Sequence, residues 1–318
     1  MSYNCIFVIG PTAVGKTAIG VRLARKYGGE IISADSRQVY KGLDIGSGKD
    51  LADYVIDGER IPHHLIDVCD LTREYNLFDF QEDFYSAFTD ITRRGKLPVC
   101  VGGTGMYLDS VLRGYDMIPF VERAGDRAEL ETKTEEELMR ILINEKEKLH
   151  NTSEFGDRER MIKSILINRF NLSEECRIAR ERLRASRPCL SPLVIGTTLD
   201  RKLVRERIAG RLADRMSAGL IEEVENLHSR EKENGASWSR LESLGLEYRF
   251  VSWFLQGKYK SREEMRGLLQ IAIGQFAKRQ ETWFRCMEKN GIVIHWLPEV
   301  MSVEERFRAA CSIVESER

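Results

Sequence analysis

A short apolar run, Cys5 to Ile9, breaks at Gly10 into Gly10-Pro11-Thr12-Ala13-Val14-Gly15-Lys16-Thr17. A G-x-x-x-x-G-K-[ST] phrase between a strand-like run and a helix-like segment leaves few architectures open. The glycines let backbone N–H groups turn inward around phosphate oxygens, the helix start favours negative charge, and Lys16 adds a point charge. Gly10, Thr12, Ala13, Val14, Gly15, Lys16 and Thr17 are therefore the candidate diphosphate-binding residues. Thr17 is also the candidate metal ligand, for the Mg²⁺ that accompanies a diphosphate. A second phrase, Gly46-Ser47-Gly48-Lys49, only echoes the motif: Leu43 and Asp50 stand at its flanks and no strand precedes it.

The rest of the chain repeats strand, glycine turn and helix. Residues 16–27 carry apolar positions at helical spacing, and residues 30–34 form a second buried-strand run ending at Asp35. Phe80, Phe84, Phe88 and Ile91 predict a helix over 79–94 whose aromatics, with Phe78, are core. Residues 97–101 predict a third strand, ending in Gly102-Gly103-Thr104-Gly105. This is the grammar of an α/β protein: a P-loop NTPase-like parallel sheet flanked by helices. After Gly114 the strand signal stops. Residues 115–190 read as a helical insertion, with Leu138, Ile141, Leu142 and Leu149 on one helix and Met161, Ile162, Ile165 and Leu166 on another. Residues 193–198 predict a return strand. Residues 201–228 predict a helix weakened or broken at Gly219, and residues 262–286 a further helical stretch. The core is thus expected to be built from 1–114 and 191–318.

Composition narrows the class. In 318 residues, 49 Lys and Arg face 50 Asp and Glu, so any nucleic-acid partner must be argued from motifs and not from a basic excess. The seven cysteines include no C-x-x-C pair, which predicts buried, reduced thiols and suits the cytoplasm. No apolar run approaches the roughly 18 residues of a membrane span, so no membrane partner is expected.

A phosphate loop needs an acid beside it. Asp35 and Asp67 each follow an apolar strand-like run. Strand ends on one side of a parallel sheet converge on the ligand crevice, which puts Asp35 near the loop as a metal aide or a base. His63 and His64 are adjacent, so in a strand they face opposite sides and do not chelate one metal.

In order, GPTAVGKT, EIISADSRQVYKGLDIGSGK, IPHHLIDV, LPVCVGGTGMYLDSVLRG and QFAKRQETWFR resemble the tRNA dimethylallyltransferases. The match is dense over 4–114 and looser over 195–297. The resemblance implies transfer of a dimethylallyl group from dimethylallyl diphosphate to N6 of an adenine beside the anticodon, releasing pyrophosphate. It implies Asp35 as the base, with Thr104 and Arg211 acting beside it on the diphosphate or its Mg²⁺. It implies tRNA contacts, in the anticodon stem-loop, from Asp35, Ser36, Arg37, Gln38, Arg160, Lys163, Lys278, Arg279, Gln280 and Arg285. The insertion is then expected to touch tRNA, and a monomer is expected.

The chain departs from the family in two places. Around Asp157 and Arg160, Lys163 replaces a second arginine and Leu166 a glutamate. Leu244-Gly245-Leu246 replaces Ile-Gly-Tyr, with Glu242 and Glu247 where basic residues are common. Acid in place of base is expected to weaken phosphate contacts. A free adenine nucleotide therefore stays open as the acceptor. So does a small-molecule kinase in which Asp67 is the metal-binding acid.

Overall fold

The computed structural model describes residues 2–120, 122, 125–145, 157–233, 235–299 and 302–317. Its centre is a parallel sheet of β1 (Cys5–Ile9), β2 (Gly29–Ala34), β5 (His63–His64), β6 (Leu97–Gly102), β7 (Pro192–Gly196) and β8 (His295–Trp296). The strand order is β5-β2-β6-β1-β7-β8, and each neighbouring pair is parallel. Residues 4–9 and 97–101 thus share one sheet: Ile6 is paired with Val99 and Ile9 with Gly102. The short antiparallel hairpin β3 (Val55–Ile56) and β4 (Glu59–Arg60) stands apart.

Both faces of the sheet are covered, which is why its strands read as unbroken apolar runs. Successive β1 side chains alternate between two cores. Ile6 and Val8 join Ile19, Leu23, Ala310 and Val314, from α1 (Lys16–Tyr27) and the last helix. Phe7 and Ile9 join Phe80, Phe84, Leu108, Ile208 and Phe284 on the other side. Those residues come from α2 (Leu77–Arg93), α3 (Gly105–Leu112), α8 (Arg201–Ser217) and α12 (Arg262–Lys289). The expected aromatic core is present: Phe80, Phe84 and Phe88 are buried, while Phe78 is half-buried. A reciprocal Asn76–Asp79 capping box starts α2. Gly219, at φ +102, separates α8 from α9 (Leu220–Ser229).

The chain divides into two compact units, 1–114 with 188–318, and 115–187. The second holds α4 (Ala128–Glu131), α5 (Glu135–Glu145), α6 (Arg158–Leu172) and α7 (Glu174–Ser186). Its own small core contains Leu130, Leu138, Leu142, Met161, Ile162, Ile165 and Leu166, with Ile141 against it. Leu149 lies outside the described residues. In the first unit, α10 (Trp238–Leu244), α11 (Leu246–Leu255) and α13 (Val303–Ser316) complete the helices.

Two expectations need adjustment, and the histidine pair follows its own. Cys189 and Cys286 are exposed, not buried, though all seven thiols are free. His63 and His64 do form a strand, where His64 Nε2 meets Glu30 at 2.8 Å and the His63 ring packs 4.7 Å from Tyr54. Glu247 is not a surface acid: it is buried and ion-paired to Arg215 at 3.0 Å, so it holds an internal guanidinium and does not repel a phosphate at the surface.

Candidate active site

The loop between β1 and α1 forms one wall of a cleft of about 500 Å³. Thr12, Ala13, Gly15, Lys16 and Thr17 line it. Gly15 caps α1 at φ +83, a conformation that glycine adopts without strain. Gly10 and Val14 do not line the cleft. Gly10 packs against the backbone of Thr197, and the Val14 side chain is fully buried. Both shape the loop from behind.

The cleft is also lined by Asp35, Gln38, Asp50, Asp53, Tyr54, Gly102, Gly103, Arg207, Arg211, Asp214 and Gln280. Asp35 directly follows β2, and Gly102-Gly103 ends the neighbouring β6. The parallel pairing of these strands with each other, and of β6 with β1, brings all three strand ends to one side. Asp35 Oδ1 accepts the Arg37 N–H at 2.9 Å, which fixes the carboxylate. Thr104 caps α3, and its Oγ1 accepts the Ser36 N–H at 3.1 Å, tying the Asp35 turn to the glycine turn. Thr104, Ser36 and Arg37 stand beside the cleft and are not among its lining residues.

The charges are crowded. Burial, then Arg211, push the Lys16 ammonium down to about 8, with Asp35 acting the other way. Its Nζ donates to the Pro11 carbonyl at 2.5 Å. Burial, then Arg215, depress Arg211. Both cations are therefore poised to gain from an anion between them. Burial, then Asp35, push the Tyr54 phenol up. Gly48, the glycine of the echo phrase, lies under the Arg215 and Arg211 guanidinium groups, where a Cβ would collide with Arg215. Gln38 secures that loop, accepting from Ser33 Oγ at 3.0 Å and donating to the Gly48 carbonyl at 3.1 Å. Lys49 is paired with Asp44 and Asp67. Asp67 therefore serves as a counter-ion and does not line the cleft.

Gln280 makes contacts that its implied place on an RNA-binding helix does not suggest. It is buried; its Oε1 accepts from Thr12 N and its Nε2 donates to Gly103 O at 2.7 Å. A Cβ at Gly103 would sit 2.6 Å from that amide, so only glycine lets the two approach. The amide is turned inward, where the buried Gly103 carbonyl and the part-buried Thr12 N–H take it as their partner. Lys278, Arg279 and Arg285 are exposed on α12, and Arg160 and Lys163 are exposed on α6 in the helical unit. The sequence reading missed Asp50, Asp53, Tyr54 and Asp214 as cleft residues. Their only signal is proximity to the echo phrase and to Arg211.

Among the described residues no cluster of three His, Cys, Asp or Glu could hold a metal alone. A hard cation held through phosphate oxygens, water and a hydroxyl such as that of Thr17 fits this set better than an all-protein cage.

Comparison with known proteins agrees with the geometry. Residues 38–287 match the family model described as IPP transferase, and residues 3–67 match isopentenyl transferase. The chain is 52% identical to tRNA dimethylallyltransferase 2 of Treponema denticola, covering 93% of this chain and 96% of the relative. It is 48% identical to tRNA dimethylallyltransferase 1 of Syntrophus aciditrophicus, covering 93% and 94%. The crystal structure of the tRNA isopentenylpyrophosphate transferase of Bacillus halodurans superposes with a TM-score of 0.70 at 28% identity, covering 99% of this chain and 96% of that one. A phosphate loop, a facing carboxylate and a match over most of the chain's length lead to one assignment: the chain belongs to the IPP transferase family.

Proposed function

We infer that the chain transfers the dimethylallyl group of dimethylallyl diphosphate to N6 of an adenine beside the tRNA anticodon, with pyrophosphate as the leaving group. The observation that carries this reading is that Asp35 lines the same cleft as Lys16, Thr17 and Arg211. An exocyclic amine is a poor nucleophile, because its lone pair is delocalised into the ring. As N6 bonds to the allylic carbon, the carbon–oxygen bond to diphosphate breaks and the N6 proton passes to the Asp35 carboxylate. Such general-base help is worth about 10²–10⁴-fold. The charge that develops on diphosphate falls among the loop N–H groups, Lys16 and Arg211, which are fixed before reaction. Thr104 keeps the Asp35 turn in register through Ser36. Thr17 would hold Mg²⁺, whose charge supports the departing diphosphate.

The anticodon stem-loop would be met by exposed Lys278, Arg279 and Arg285, with Arg160 and Lys163 in the helical unit as further phosphate contacts. Ser36, Arg37 and Gln38 belong to the turn nearest the acceptor base. The helical unit of 115–187 is proposed as a tRNA-contacting domain. A tRNA acceptor is consistent with a cytoplasmic site of action. Among the described residues no helix is long and apolar enough to cross a membrane.

The test is isotope-labelled dimethylallyl diphosphate incubated with unmodified bulk tRNA and, separately, with AMP. Label in tRNA supports the reading. Label in AMP alone would move the acceptor to a free nucleotide, and label in neither would overturn prenyl transfer.

A further inference from the structure

Arg306 lies on α13, far along the chain from the loop, and heads the fully buried side chains of the molecule by size. Its Nη1 donates to the Val14 carbonyl and, at 3.1 Å, to Thr197 Oγ1. Its Nε and Nη2 have no hydrogen-bond partner among the described residues. A Cβ built on Gly15 would sit 3.4 Å from Nη2, so this free edge faces the loop at the start of α1. Among the described residues Arg306 forms no ion pair, and the neighbouring charge acting on it is another cation, Arg207.

A buried guanidinium cannot shed its proton, and an unpaired buried charge is costly. The half-buried Arg215 is matched differently, by the carboxylate of Glu247 at 3.0 Å. Arg306 has no such carboxylate. What stands next to it is a glycine loop of the kind that cradles phosphates, with the Val14 carbonyl meeting Nη1.

We propose that Arg306 is a positioning residue of the diphosphate site: it holds the Val14–Gly15 segment from behind, and its counter-charge is the diphosphate itself. This rests on the reading that the loop binds the prenyl donor's diphosphate. The free protein carries the unpaired charge, and ligand binding relieves it. Arg306 thereby adds affinity for a doubly phosphorylated anion without touching it. Its effect falls on donor binding in the ground and transition states alike, so it appears in KM for the donor and leaves kcat near the parent value.

The experiment is calorimetric titration of the full chain with pyrophosphate and Mg²⁺, for the parent, Arg306→Lys and Arg306→Gln. Glutamine keeps a donor for the Val14 carbonyl and loses the charge; lysine keeps the charge and loses the planar fork. The expected order of affinity is parent, then lysine, then glutamine, with glutamine weaker by roughly tenfold or more, the scale of a charged hydrogen-bonding partner. Steady-state prenyl transfer should show the donor KM raised by a similar factor and kcat within a few-fold of the parent. A buttress of purely structural value would lower the melting temperature and leave pyrophosphate affinity unchanged in the folded variants. That result overturns the proposal. If the glutamine variant does not fold, Arg306→Met, which also removes the charge but leaves no unpaired donor, decides, and parent-like affinity there overturns it equally. A parent chain that binds no pyrophosphate would overturn the diphosphate reading itself, a distinct failure.

Discussion

The side-chain carbonyl of Gln280 accepts a 2.9 Å hydrogen bond from the backbone N–H of Thr12, a residue 268 positions earlier. The same amide donates to Gly103, so one side chain on α12 joins the phosphate loop to the glycine turn after β6. Gln280→Leu removes the partner of both backbone groups, the buried Gly103 carbonyl and the part-buried Thr12 N–H. We expect a stability loss of about 1–3 kcal/mol, the cost of an unsatisfied buried polar group, together with weaker pyrophosphate binding. Urea unfolding and calorimetry check the two parts. Unchanged values in both would mean that the loop holds its shape unaided.

Asp35→Asn is nearly isosteric and keeps the acceptor for the Arg37 N–H. It should preserve fold and pyrophosphate affinity while prenyl transfer slows by about 10²–10⁴-fold. Single-turnover rates at saturating donor and Mg²⁺ measure this. A rate within a few-fold of the parent would remove Asp35 as the base.

Lys16, held down to about 8 by burial and Arg211, loses its charge as pH rises through that value. Only the charged form attracts diphosphate, so affinity should be full below pH about 8 and fall above it, by at most about tenfold per pH unit. Pyrophosphate titrates too, so the comparison is with Lys16→Arg, which stays charged. A parent whose pH profile runs parallel to that of the arginine variant up to pH about 9.5 would contradict the assignment.

Glu30 links stability to acid. Its carboxyl is held down to about 2 from 4.5 by the Arg94 hydrogen bond first and His64 next, against burial. Between those values the unfolded chain binds the extra proton, so this contribution is complete above pH about 4.5 and disappears as pH falls toward 2. Glu30→Gln should be less stable at neutral pH and should show a shallower loss of stability in acid. Melting temperatures from about pH 7 down to about pH 3 read both. An acid limb identical to the parent's would locate the acid sensitivity elsewhere.

Removing the charges of Lys278, Arg279 and Arg285 should weaken tRNA binding and flatten its dependence on salt, by about 0.7–0.9 in the log–log slope for each phosphate no longer neutralised. A slope equal to the parent's would make this a solvated helix face.

Much of the sheet was legible because both its faces are covered. Cys5–Ile9 and Leu97–Gly102 are unbroken apolar runs for that reason. β8 was not legible, and β5 was legible only as the strand-like run before Asp67. Each has two residues and sits at a sheet edge, and each carries a histidine where an apolar residue would have signalled a strand. The loop and Asp35 were readable because local backbone chemistry dictates their residue types. The bridging role of Gln280 was not legible because its partners, Thr12 and Gly103, are distant in sequence. Glu247 looked like a surface acid for the same reason: its partner Arg215 lies on another helix. Arg306 offered no local signal at all, since an arginine on an amphipathic helix ordinarily faces water.

The strand order has a consequence for how the molecule is made. Ile6 sits between Val99 and Leu193, so β1 is paired on one side early in synthesis and on the other only after the whole 115–187 unit has left the ribosome. The phosphate loop waits longer still, for Gln280 and then Arg306. Non-local pairings of this kind form slowly, because loop-closure entropy must be overcome before the paired strands stabilise one another. The helical unit, with its own core of local contacts, is free to form while the chain is still emerging. A nascent chain stalled before α13 would carry a complete motif in a loop whose rear support has yet to be translated.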